Sequence, residues 1–138
     1  MRPLAEIEAR IDALPGSSDP AAAAGELLAL GEEVLEHWIA ARGDRPTVGK
    51  REGFRLLALH RQGAKGEPSF NACRETCREL VYHYNLVTMA PDHPETGRRL
   101  VMAAMVARHL LLFVGGKLEV AQLGEFCRSS RPLHAATS

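Results

Sequence analysis

Aromatic residues make up only 5% of the 138-residue chain, and there is one tryptophan. Isoleucine and valine are scarce too, with three and eight copies, and no stretch keeps the alternation of apolar and polar residues that marks a half-buried strand. Both shortages exclude a sheet-rich fold. Three cysteines are an odd number without framework spacing, which excludes a disulfide scaffold and implies free thiols in a reducing compartment. Lysine is rare, at three against 14 arginines, and this bias with abundant Ala and Gly suggests a bacterial source. The formal net charge is zero, so there is no general attraction to nucleic acid or to an anionic membrane. The longest apolar run, Leu100 to Val114, is 15 residues and contains Arg108 and His109. A span needs about 20, so no membrane segment is expected. The opening residues lack the apolar core of a signal peptide, and a cytoplasmic location follows as an expectation.

Helix formers fill the space these absences leave: 20 alanines and 18 leucines. Leu4, Ile7, Ile11 and Leu14 repeat at helical spacing until Pro15-Gly16 stops them. Asp19 followed by Pro20 is an N-terminal helix signal. It opens a helix predicted to reach Arg42, with Leu27, Leu28, Leu30, Val34, Leu35, Trp38 and Ile39 as its apolar stripe. Further helices are predicted at about 50–61, 69–89, 95–114 and 118–128, with Ser69 capping the fourth and Gly115-Gly116 ending the fifth. The fold class is therefore all-α: a single bundle of five to six helices in residues 1–128. The helix near 100–114 is apolar on nearly every side and is expected at its centre. Residues 129–138 are expected to form a mobile tail.

Charge is uneven within the neutral total. Residues 1–41 carry a net −6 and residues 42–65 a net +5. The simplest expectation is that the two regions neutralise one another in the fold. The basic segment 42–65 is also a candidate for a nucleic-acid partner, although Phe54 is its only aromatic residue for stacking on bases.

Three constellations could carry chemistry. Cys73 and Cys77 are four apart on one helical face, within a stripe continued by Leu80, Tyr84 and Val87; packing is the ordinary reading and a soft-metal thiolate pair the functional one. His37, His60, His83 and His109 fall on separate predicted helices, and a bundle can gather such residues with cysteines around a transition metal. The candidate metal ligands are Cys73, Cys77, His37, His83 and His109. Glu33–His37 and Glu79–His83 are spaced by four, whereas di-iron bundles use a spacing of three.

Third, Arg78 and His83 enclose four residues, which resembles the Arg-x4-6-His motif of HEPN-domain ribonucleases, themselves small all-α proteins. The resemblance implies that Arg78 stabilises a phosphate and that His83 transfers a proton during RNA cleavage. It covers about eight residues of the chain, and Glu79 stands where that family usually has a polar neutral residue. A carboxylate there opposes phosphate binding.

No Gly-rich phosphate loop and no Gly-x-Ser-x-Gly elbow is present. With no convincing catalytic set, the leading expectation is a regulatory or protein-interaction module that self-associates or binds a protein partner. The HEPN-like ribonuclease and the metal- or cofactor-binding bundle are the alternatives.

Overall fold

The computed structural model describes residues 2–121. The tail at 129–138 and most of the helix expected at 118–128 lie outside the described residues. Five α-helices carry the fold: α1 (Leu4–Ala13), α2 (Pro20–Ala41), α3 (Arg55–Ala64), α4 (Arg74–Met89) and α5 (Thr96–Val120). Two 3-10 turns, Leu14–Gly16 and Pro68–Cys73, join α1 to α2 and lead into α4. Among the described residues the only extended pairing is an isolated bridge between Arg51 and Phe54. The protein is an all-α bundle.

Local sequence explains most boundaries. The Asp19 side chain accepts a hydrogen bond from the Ala22 amide at 3.2 Å, and Pro20 occupies the first turn, where its missing N–H costs nothing. Ser69 does not cap α4. It sits inside the 3-10 turn, where its hydroxyl donates to the Glu67 carboxylate and accepts from Lys117 Nζ at 2.6 Å. The third helix starts at Arg55 rather than near residue 50, because the chain before it turns through Glu52 (φ 55°) and Gly53 (φ 85°), and the Arg51 and Phe54 backbones bond to each other.

Gly115-Gly116 does not end α5, which runs unbroken to Val120. A glycine inside a helix costs about 1 kcal/mol relative to alanine. Continuing the helix buries Gly115 and brings Leu118 into the core alongside Val114, which offsets that cost. The result is a 25-residue helix, long and apolar enough by length and composition to cross a membrane, with half of its most apolar stretch buried inside the bundle.

The core is continuous through all five helices. Leu4, Ile7 and Ile11 of α1, Leu27, Leu30, Val34 and Leu35 of α2, and Leu80 and Val87 of α4 are fully buried. They pack around α5, the central helix, whose Leu100, Ala107, Leu110 and Leu111 are also buried. Gly31 lets α2 approach α4 and α5: a Cβ there would stand 2.7 Å from Leu80 Cδ2 and 3.2 Å from Leu56 Cδ1. At the other end of α2, the Trp38 and Phe70 rings stack at 5.1 Å, and the Trp38 indole N–H donates to the Gly63 carbonyl at 3.0 Å.

Candidate functional site

The acidic α2 and the basic residues that follow it neutralise each other only in part. Arg55 bonds Glu36 at 3.0 Å and Glu32 at 3.3 Å, while Arg2 and Arg10 of the N-terminal segment take Glu33 and Glu26. Burial pushes the Glu32 carboxyl up, outweighing Arg55; the Arg2 hydrogen bond holds Glu33 down. Most of the remaining cations of segment 42–65 go elsewhere.

They surround a cleft of about 900 Å³ between the loop that follows α2, the outer side of α3 and the start of α4. Lys50 and Arg51 come from the loop, Arg61 and Lys65 from α3 and its C-cap, and Arg74 and Arg78 from the first turns of α4. Leu57, Ala58 and Ala64 supply apolar wall, and Asn71 adds an amide. Among the described residues no carboxylate lines it. The loop is pinned from beneath: the Thr47 amide donates to Gln62 Oε1 at 2.8 Å, Arg55 Nε donates to the Thr47 carbonyl at 2.9 Å, and Gln62 Nε2 donates to the Arg45 carbonyl at 2.7 Å. Gln62 is thus a structural residue of this rim.

His60, which lines the cleft, is the one buried histidine among the described residues. Its Nε2–H donates to the Phe70 carbonyl at 3.3 Å, and its ring stacks on Phe70 at 5.8 Å. The Cys73 thiol donates to the same carbonyl at 3.3 Å. Cys73 and Cys77 are free and buried, in the packing seam that their spacing implies. The Cys77 thiol hydrogen-bonds to Cys73 and, with the His60 imidazole, pulls the Cys73 thiol down against the effect of burial. The same contact and near-complete burial push Cys77 up.

The other histidines are dispersed. His37 on α2 donates from Nε2 to the Arg2 carbonyl at 2.6 Å, tying the N-terminal segment to α2. His109 is exposed on the outer face of α5. His83 on α4 stands edge-on to Tyr82 at 5.4 Å, its Nδ1 is buried without a hydrogen-bond partner among the described residues, and burial lowers its pKa. Among the described residues no group of three His, Cys, Asp or Glu side chains converges where an ion could be held. The proposed ligand set of Cys73, Cys77, His37, His83 and His109 is therefore not brought together.

Arg78 and His83 are not brought together either. Five residues apart, they point about 140° from each other around the helix axis. Arg78 lines the cleft and bonds Glu52 at 2.7 Å; His83 is not among the cleft residues. A phosphate on Arg78 would have to displace Glu52 and would still lie away from the imidazole.

A second surface was hidden within the apolar character of α5. Arg98, Met102, Met105, His109, Leu112 and Gly116 are spaced 4-3-4-3-4, and all six are exposed. Val101 flanks the seam at 44% exposure, while Met105 and Leu112 on it reach 59% and 53%. That spacing keeps one helix face turned to a partner helix along its length. The inward faces of α5 pack on α1, α2 and α4, and among the described residues this seam of the central helix is its solvent-exposed side.

No protein-family model matches the chain, and no curated protein and no solved structure matches it either.

Proposed function

We propose that this chain is a non-catalytic interaction module that pairs with a second copy of itself through the outward seam of α5. The observation that supports the reading is the exposed 3-4-3 row of Met102, Met105, His109 and Leu112 on the central helix, extended at each end by Arg98 and Gly116. Apolar side chains in a continuous row on the surface carry a solvation cost that association removes.

The pattern favours a copy over an unrelated partner because it is self-complementary. When two such helices run antiparallel about a two-fold axis between Met105 and His109, Met102 faces Leu112, Met105 faces His109 and Arg98 faces Gly116. A long side chain meets a small residue at each end, the apolar pair Met102 and Leu112 lies inside these, and a methionine meets a histidine at the centre. The free thiols of Cys73 and Cys77 support a reducing compartment such as the cytoplasm.

The test is the mass of the native chain across a hundredfold range of concentration, by sedimentation and native mass spectrometry. The expected result is twice the 15.1 kDa chain mass, reverting to one chain in a folded Leu112→Glu variant. A mass of 15.1 kDa at every concentration would overturn the proposal.

A further inference from the structure

The cleft between the loop after α2, α3 and the start of α4 is the second place where the fold holds side chains in an arrangement that packing does not require. We infer that it binds a small molecule carrying a chain of two or more phosphate groups.

Six cations, Lys50, Arg51, Arg61, Lys65, Arg74 and Arg78, line one concavity. The carboxylates paired with them are two: Glu52, at 2.7 Å from Arg78 and 3.7 Å from Arg51, and Glu75, at 3.1 Å from Arg74. Lys50, Arg61 and Lys65 form no salt bridge with a described residue. Like charges gathered around one cavity repel, and low-dielectric walls strengthen the field inside it. A polyanion is the ligand that relieves this excess. Phosphate suits the donors: guanidinium presents paired N–H groups that match two phosphate oxygens, and lysine adds a compact point charge. The Asn71 side chain makes no hydrogen bond with a described residue, so its amide is available at the same rim.

Shape and surrounding charge select a compact ligand over a polymer. The volume, about 900 Å³, is that of a small-molecule site. All six cations line that one concavity, and residues 1–41 carry a net −6, which disfavours a long polyanion elsewhere on the surface. The apolar wall of Leu57, Ala58 and Ala64 gives a non-phosphate moiety a surface to rest on. The loop is already held in place through Gln62 and Arg55, so binding needs little further ordering.

Titration of inorganic triphosphate into the full-length protein, followed by calorimetry, tests this. One site per chain is expected, with affinity that falls as salt rises. The Arg61→Gln/Lys65→Gln double variant should weaken binding at least tenfold. Both residues are exposed and form no ion pair with a described residue, so the fold is expected to survive their loss; circular dichroism checks this, and Lys50→Gln provides an independent second variant. Leu112→Glu, which is not among the cleft residues, should leave the affinity unchanged, which separates this site from the α5 seam. Absence of saturable binding at millimolar triphosphate would overturn the inference, as would an affinity that none of the cleft variants changes. So would binding of single-stranded RNA that strengthens with length and that triphosphate does not compete away, an outcome that assigns the cleft to a polymer.

Discussion

The two long helices, α2 and α5, are both rich in apolar residues, yet they treat their outer faces in opposite ways. Away from the core, α2 bears Glu26, Glu32, Glu33 and Glu36, each met by an arginine from α1, its preceding residues or α3. The outer face of α5 bears Val101, Met102, Met105 and Leu112, all left exposed by the described residues. One surface is closed by partners inside the chain; the other is the face through which we propose that the chain pairs. Apolar content alone therefore does not identify the more buried helix; the company each face keeps does.

Substitutions on the two helices distinguish what their faces do. The largest effect is expected on the inner side of α2. Gly31→Val places carbon where Leu80 Cδ2 stands 2.7 Å from the first added atom. Overpacking of this kind costs about 1–3 kcal/mol, read as a lower urea midpoint. Next, on the outer side of α2, Arg55→Met leaves Glu32 and Glu36 half-buried without their cation. A loss of about 1–2 kcal/mol at neutral pH is expected, between the values for exposed and fully buried pairs. Glu32 already sits above the ordinary carboxylate range, so its ionisation costs stability as pH rises through that raised value. The Arg55→Met deficit should accordingly shrink in acid, where Glu32 is protonated.

Gly25→Ala is expected to act in the other direction. A Cβ there meets nothing within 4 Å, and the gain is about 0.5–1 kcal/mol in chemical denaturation. Glu33→Gln should be smaller, a few tenths of a kcal/mol, because the Arg2–Glu33 pair is partly solvated. Here the sign is opposite to that of Glu32. Arg2 lowers the Glu33 pKa, so its contribution is present above the ordinary carboxylate range and lost as pH falls through the lowered value. Thermal melts of Glu33→Gln and wild type should differ at pH 7 and converge near pH 2. At the bottom of the scale, Met105→Gln on the outer face of α5 should leave the stability of a single chain within about 0.5 kcal/mol, as exposed substitutions do. A larger loss in the monomer would mean that the α5 seam has an internal partner.

Much of the fold is legible in the sequence where one residue type decides a local event. Asp19-Pro20 starts α2 because a carboxylate oxygen and a missing N–H both suit a first helical turn. Leu4, Ile7, Ile11 and Leu14 are all buried at the spacing that announces them. Gly115-Gly116 misleads because a glycine pair weakens a helix only locally, whereas the gain that overrules it, burial of Leu118, comes from other helices. The cleft is half legible. The excess of cations in 42–65 is visible at once, but Arg74 and Arg78 join it only through the packing of α3 and α4, which no local pattern reports. The seam on α5 is concealed by abundance: when a helix is apolar on every side, periodicity does not say which side lacks a neighbour. For the histidines, one residue of helical phase separates the buried His60 from a surface position, and the spacing of Arg78 and His83 holds them apart on the same helix.

Trp38 is the only indole in the chain. It stacks on Phe70 of the turn before α4, bonds the Gly63 carbonyl of α3, and lies 5.3 Å beneath Arg42 and 5.6 Å beneath Lys117 of α5. Those contacts make it an optical probe supplied by the protein itself. Excitation of this one ring reports the junction of four segments without any attached dye. A shift of its emission toward the red would mean that water has reached the end of the bundle nearest the cleft.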